Sequence, residues 1–394
     1  MLYILLPSLH IVISKHIECE NRDEKPVPVI SNSLARYLYE IKNRITSCSR
    51  EWDAYKKYTN PYEYINTVVP NKSKCVSKYK PLSRSYFKML ELISSFDLCL
   101  FELINSFHLA EGPGGFIEAL VNVRQNVGDS YTGMTLLDDA FDNNIPAWKK
   151  SEHFIRTNPN VKIENGATGT GDILSIENFD YCLTKYGSSM NIITADGGFD
   201  FSADFNNQEN HIVKLLFAQA CYAICLQKKG GNFVLKIFDC FMEHTIDILY
   251  ILSAFYKNVY ITKPNTSRYA NSEKYIVCKN FLFSNVSSFV PSLRSCLIKV
   301  INSTNHIHRF LACPISGCYL NKIEEYNAIS GQQQIEYIQQ TIALMDNKHN
   351  GDRIENLIKA NVHKCMNWCA SHDVPYNTFS TPANHFLDSV RDFC

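Results

Sequence analysis

The nine residues from His108 to Phe116 (HLAEGPGGF) constrain this chain more than any other stretch. Apolar residues lead into them (Leu103, Ile104, Phe107), and a helical spacing of Phe116, Ile117, Ala119, Leu120 and Val123 leads out. A strand that ends in a glycine-rich turn and opens a helix lets the backbone approach a ligand. The helix's first N–H groups then serve as donors. The same pattern also suits a tight strand-to-helix turn that holds nothing, so the flanking segments must separate the two readings.

From residue 100 to 282, strand-like and helix-like segments alternate. Tyr131 to Asp139 (YTGMTLLDD) reads as a second strand ending in paired acids, Asp138 and Asp139. An acid about twenty residues past a glycine turn is where nucleotide-binding α/β folds place a ribose-hydroxyl acceptor. Gly166 to Ile173 (GATGTGDI) reads as a loop leading to Asp172, and Asn191 to Phe199 as a buried strand running into Asp196. His211 to Gln227 is an amphipathic helix pattern, with Lys228-Lys-Gly-Gly231 as its stop signal. Asn232 to Phe238 is a strand with Lys236 inside an apolar run, and Glu243 to Tyr256 reads as helix. Val259 to Thr262 and Tyr275 to Phe281 are strands with no helix between them. This rhythm predicts an α/β fold: a doubly wound, mostly parallel sheet with an antiparallel last strand.

Flanking this domain are an N-terminal extension (1–80) and a mainly helical C-terminal region (291–394) without strand rhythm. In the tail, Gln332 to Met345 and Arg353 to Ser371 read as helices. Near the start, Leu2 to Ile13 is apolar but too short to span a bilayer and lacks a basic leader, so a buried strand is expected. Residues 14–34 are polar, with Lys25 to Val29 as an extended connector, and Ser33 to Ile45 reads as helix. Lys+Arg and Asp+Glu both total 39, so no global basic field points to nucleic acid. Fifteen scattered cysteines without a CxxC pair suit a reduced, soluble, intracellular protein.

Any nucleic-acid surface must therefore be local, and Lys42 to Lys88 is where basic residues gather, interleaved with tyrosines and Trp52. Cations neutralise phosphates and aromatic faces stack on bases, which suits an RNA or cap-like ligand. A solvated charged face with tyrosines packed on the core remains an equal reading. Among the rings, Trp52, Tyr62 and Tyr64 are candidates for stacking on a cationic guanine.

Two lysines sit in apolar surroundings, Lys88 (YFKMLEL) and Lys236 (FVLKIF). An ammonium on a central strand is costly to bury unless an acid pairs with it, and Asp196 at the end of another strand is a natural partner. Such a pair serves structure as well as chemistry.

These residues together resemble the FtsJ-like (RrmJ-type) 2′-O-ribose methyltransferases, and within them the cap-specific mRNA branch. The matching stretches are Ser83 to Glu91, Ala110 to Phe116, Gly133 to Leu136, Gly169 to Ile173, Thr194 to Phe199, Gly230 to Phe238 and Lys263 to Tyr275. They are collinear, and they identify 81–290 as an FtsJ-like domain with a Rossmann-like class I methyltransferase sheet. The resemblance implies a catalytic tetrad of Lys88, Asp196, Lys236 and Glu273 and no metal. It implies an S-adenosylmethionine site at Glu111, Gly112, Pro113, Gly114, Gly115 and Phe116, with Asp138 or Asp139 near the ribose or adenine and Asp172 near the adenine. Where relatives often carry Cys or Asp-Cys before the turn, this chain has Leu109-Ala-Glu111.

The implied reaction is methyl transfer to the ribose 2′-hydroxyl of a cap-proximal nucleotide. Capped mRNA is the implied substrate, the capping or transcription machinery the implied partner, and no membrane is involved. A member from a large DNA virus would work in the host cytoplasm or virion, a cellular one in the nucleus. Two other readings stay open. One is an internal ribosomal or transfer RNA 2′-O-methyltransferase, the other a catalytically silent RNA-binding subunit on the same fold. A dinucleotide-dependent dehydrogenase is disfavoured because EGPGG is not GxGxxG. In the tail, His363, Cys365, Cys369 and His372 lack the spacing of zinc pairs, and 353–371 reads as one helix with Cys365 and Trp368 on its apolar face.

Overall fold

The computed structural model describes residues 1–9, 11–137, 147–198, 206–349 and 351–379. Its strands are β1 (Leu2–Leu5), β2 (Ile17–Arg22), β3 (Asn105–Leu109), β4 (Ser130–Met134) and β5 (Val161–Ile163), followed by β6 (Met190–Ala195), β7 (Gln227–Ile237), β8 (Tyr256–Lys263), β9 (Lys274–Phe281) and β10 (His306–Leu311). Its helices are α1 (Asn32–Ser47), α2 (Ser49–Thr59), α3 (Ser85–Phe96), α4 (Gly115–Arg124), α5 (Glu152–Thr157) and α6 (Ile176–Tyr186), then α7 (Gln208–Leu226), α8 (Glu243–Phe255), α9 (Val290–Asn302), α10 (Gly317–Asp346) and α11 (Gly351–Ser371).

Eight strands form one sheet in the order β1-β8-β9-β7-β6-β3-β4-β5. The central strands are apolar on both faces, as a parallel sheet covered on both sides requires. On one face α7 and α8 pack with Phe107, Ile193 and Leu235; on the other, α3, α4 and α11 cover Ile192, Val234 and Tyr275. β7, β6, β3, β4 and β5 run parallel. β9 is antiparallel and lies between β7 and β8 rather than at the edge. The edge is taken by β1, which pairs antiparallel with β8 and turns Ile4 inward.

Three expectations differ from the structure. Lys228 to Gly231 is not a helix stop: α7 ends at Leu226 and β7 starts at Gln227, whose side chain donates to Met190 O at 2.8 Å. A positive φ of 80° at Gly230 and a register shift take up the bend. The polar stretch 14–34, read without a strand, contains β2, and the tail contains β10, which pair antiparallel. Neither strand carries an alternating apolar pattern, because their partner is distant in sequence and only the tertiary fold supplies it.

The two ends of the chain also meet. α1 and α2 pack against α10, burying Leu38, Ile41, Trp52, Ile338 and Ile342 together with Phe241 from the loop after β7. α11 packs against a 3₁₀ turn at Glu63–Ile65, and Asn361 Nδ2 donates to Tyr58 O at 2.8 Å. This helical group lies against the loops that follow β7 and β8. No described helix is long and apolar enough to cross a membrane, and the described cysteines are free thiols.

Candidate functional site

Four elements deliver four charged groups to one end of the sheet. Lys88 comes from α3, Asp196 from the end of β6, Lys236 from β7, and Glu273 from the residue before β9. Lys88 Nζ lies 2.5 Å from Glu273 Oε1. Lys236 Nζ lies 3.3 Å from Asp196 Oδ1 and donates to Asp196 O at 2.5 Å. Gly198 keeps the loop close, since a Cβ there would sit 3.3 Å from Lys236 Nζ. Burial opposes ionisation of Glu273, but the ammonium groups of Lys88, Lys236 and Lys263 together hold its carboxyl well below the usual range.

Tyr275 joins the two pairs, and sequence reasoning did not single it out. Its hydroxyl lies 2.9 Å from Asp196 Oδ1 and 2.9 Å from Glu273 Oε1. Burial, then the two acids' charges, push its phenol well above the ordinary value, so it stays a donor. The available signal was the i, i+2 spacing from Glu273 along the strand, which puts both side chains on one face. Lys263 is a further buried cation, donating to Asn271 O, Asn271 Oδ1 and Glu273 O at 2.7–2.8 Å. These bonds hold the segment that carries Glu273. Glu91 holds the other side of that loop by accepting from Asn265 N at 2.8 Å and Thr266 N at 3.2 Å.

The glycine turn lies between β3 and α4. Gly114 has φ 102°, a conformation that glycine adopts without strain, and Gly114 N donates to Glu111 O at 2.7 Å. Gly112 faces Ala147 O closely enough to exclude a Cβ, and its N–H donates to Thr135 Oγ1 at 3.3 Å. Pro113 O accepts from Ser151 Oγ. Gly115 packs on Ser83 and Ser85 at the start of α3, and Phe116 is fully buried, 6.0 Å from the Tyr275 ring.

Glu111 is directed inward. Its Oε1 accepts from Phe116 N at 2.6 Å, capping α4, and its Oε2 lies 3.5 Å from Thr194 Oγ1. Thr194 meets His108 Nδ1 at 2.7 Å, and His108 Nε2 meets Ser106 Oγ at 2.8 Å. Burial pushes His108 down to about 3, so it is neutral. Burial, then the nearby Asp196 charge, pushes Glu111 well above the usual carboxylate range.

Asp172 is half-buried at the end of its loop, and its Oδ1 accepts from Leu174 N at 2.8 Å. Asp138 and Asp139 lie outside the described residues. Trp52 and Tyr64 are buried in the core, which removes them as stacking faces, while Tyr62 is half-buried. In α11, Cys365 and Cys369 are buried and His363 is exposed, while His372, just past the helix end, stacks on Trp368 at 4.1 Å. Among the described residues no three His, Cys, Asp or Glu side chains are grouped to hold a metal ion.

A family model described as FtsJ-like methyltransferase matches residues 81–281, half of the chain. The chain belongs to the FtsJ-like methyltransferase family. Cap-specific mRNA (nucleoside-2′-O-)-methyltransferase 2 of Drosophila melanogaster is 27% identical to this FtsJ-like chain over 260 residues, covering 63% of the chain and 36% of that protein. Cap-specific mRNA (nucleoside-2′-O-)-methyltransferase 1 of Trypanosoma brucei brucei is 39% identical over 119 residues, covering 30% of the chain and 32% of that protein. The FtsJ-like chain thus spans about a third of the length of these relatives. A solved Plasmodium falciparum structure described as a ribosomal RNA methyltransferase aligns at TM-score 0.37 and 20% identity, covering 51% of this chain and 98% of that one.

FtsJ-like methyltransferases use S-adenosylmethionine, and the site's own features fit that group. The left-handed glycine turn and the loop that carries the half-buried Asp172 both meet the chain just after β4, Gly112 N–H at Thr135 Oγ1 and Thr170 O at Leu137 N–H. Gly169 at φ 75° has open space around its Cα. Below the loop that carries Asp196, the fully buried Gln219 brings its amide against Gly197 with neither polar atom paired. Polar atoms left orphaned at such a depth mark a place where a ligand or ordered water completes the bonding.

Proposed function

We propose that this protein methylates the ribose 2′-hydroxyl of a cap-proximal mRNA nucleotide, with Lys88, Asp196, Lys236 and Glu273 activating the hydroxyl. One observation carries the reading: a buried and a half-buried Lys–carboxylate pair, joined by one tyrosine hydroxyl, lie at the end of the sheet that holds the glycine turn. The names of the relatives support the cap specificity.

S-adenosylmethionine, when bound, supplies an electrophilic sulfonium methyl group. A ribose hydroxyl is a poor nucleophile, and the chain's task is to orient it and relieve it of its proton. Lys236 Nζ is fixed by the carboxylate and the carbonyl of one residue, Asp196, so its remaining N–H is aimed rather than free to wander. It meets the hydroxyl oxygen and stabilises negative charge developing there. Lys88, restrained by Glu273, holds the acceptor nucleotide from the opposite side. The four groups interact strongly enough to titrate as a set, and the hydroxyl proton passes to that set rather than to one assigned base. Glu111, Gly112, Pro113, Gly114, Gly115 and Phe116 shape the donor's seat, Glu111 through its cap on α4. Asp172, with Asp138 or Asp139, completes the seat on the nucleoside side.

The test is methyl transfer to matched capped and uncapped RNAs, with mapping of the methylated sugar. Transfer confined to a cap-proximal ribose supports the reading, whereas equal transfer without a cap would replace it with an internal RNA 2′-O-methyltransferase. Lys236→Ala should abolish transfer while leaving RNA binding nearly unchanged; transfer surviving that change would refute the mechanism.

A further inference from the structure

Beside the tetrad lies a second charge cluster that the reaction above does not use. The Glu63 carboxylate accepts from Arg268 Nε at 2.9 Å and Nη2 at 2.7 Å, and from Arg84 Nη1 at 3.4 Å. Asn60 Nδ2 at 2.8 Å and Thr67 Oγ1 at 3.0 Å saturate it. Its side chain is wholly buried. Burial opposes its ionisation, but the hydrogen-bonded guanidinium of Arg268 and the charge of Arg84 hold it well below the usual range.

One carboxylate therefore serves two guanidiniums, and the cluster carries a net positive charge. A purely structural tie would be complete with one cation, because a second one adds desolvation and repulsion. The two arginine side chains keep 31% and 29% of their surface exposed. Each guanidinium offers five N–H donors. Arg84 commits two groups, to Glu63 and to Thr266 O at 3.2 Å, and Arg268 commits Nε and Nη2. The other N–H groups of the two forks make no hydrogen bond to a described residue. Paired forks with surplus charge match a phosphate, which takes parallel N–H donors and relieves the repulsion.

The cluster's position relative to the tetrad sets the ligand. Arg84 precedes Lys88 by one turn of α3, so the two share a face about 6 Å apart along the axis. Both Arg84 and Arg268 feel the charge of Glu273. We propose that Arg84 and Arg268, held side by side on Glu63, bind a backbone phosphate of the RNA next to the acceptor ribose. The proposal rests on the 2′-O-methyltransferase reading for its ligand. Glu63 precedes the matched 81–281 segment, so the N-terminal extension shapes the grip on RNA.

The experiment measures binding of a short capped RNA and its uncapped counterpart across a salt series, together with methyl-transfer kinetics and S-adenosylmethionine binding. Arg84→Ala and Arg268→Ala should each weaken both RNAs about tenfold. Each should also lower the slope of log Kd against log salt by about 0.7. The loss in transfer should be carried by KM for RNA. Lys359→Ala, which removes an exposed charge on α11, should change neither quantity. Where an alanine variant no longer binds S-adenosylmethionine, the arginine-to-lysine variant is read instead: charge kept and fork lost, with affinity falling several-fold and the slope retained. RNA affinity and slope at wild-type values in a variant that still binds S-adenosylmethionine would overturn the proposal and leave the methyltransferase reading standing. If wild-type protein binds RNA through the arginines but transfers no methyl group, the phosphate site stands and the catalytic reading falls.

Discussion

Lys88 Nζ lies 2.5 Å from Glu273 Oε1, with the two side chains only 9% and 12% exposed. This pair joins α3 to the segment that precedes β9, on the face of the sheet opposite α7. Breaking a buried pair by removing one partner leaves an uncompensated charge, at a cost of about 3–5 kcal/mol. Glu273→Ala should therefore lower the unfolding free energy, read by denaturant titration, by that amount and reduce methyl transfer at least about a hundredfold. Full activity in that variant would remove Glu273 from the mechanism.

Tyr275→Phe keeps the ring against Phe116 and deletes the hydroxyl shared by Asp196 and Glu273. A lost hydrogen bond to a charged group corresponds to about a tenfold effect. The expected result is a tenfold fall in kcat with S-adenosylmethionine binding unchanged. Loss of donor binding as well would mean that Tyr275 supports the fold rather than the two acids.

Glu111 separates two electrostatic states of the turn. With its carboxyl pushed upward by burial and by Asp196, the protonated form resembles glutamine. Glu111→Gln retains an acceptor for Phe116 N–H and should change stability by less than about 1 kcal/mol. Glu111→Ala orphans that N–H and opens a cavity, costing about 2–4 kcal/mol. Equal losses in both variants, read by urea unfolding at pH 7, would show that the anion is needed.

Glu209 supplies a pH dependence of stability. Its Oε1 accepts from Phe241 N at 3.0 Å and Met242 N at 2.9 Å, below the loop that follows β7. Burial and the Asp239 charge push its carboxyl up to about 7 from 4.5. The folded state then binds a proton more readily than the unfolded chain between these values. Its contribution is thus fully present below pH 4.5 and is lost as pH rises through about 7, by an amount on the order of 3 kcal/mol. Glu209→Gln should flatten this part of the stability profile. An unchanged slope between pH 4.5 and 7 would refute the assignment.

The alternation of apolar runs with helical spacing, one glycine turn and two lysines in apolar strings were local signals. They determined the α/β class, the mostly parallel sheet and the residues to examine. Local pattern is sufficient there because a strand buried on both faces and an amphipathic helix each write their environment into a few neighbouring residues. The pairing of β2 with β10, the insertion of β9 between β7 and β8, and the closure of the sheet edge by β1 depend on partners far away in the chain. Only the tertiary structure decided them. It also decided that Trp52 and Tyr64 are buried and that Glu111 caps α4. The Tyr275 bridge between Asp196 and Glu273 and the Glu63 clamp on Arg84 and Arg268 arise in the same way. Each depends on register and on which side chains meet across separate elements, and no single stretch of sequence records that.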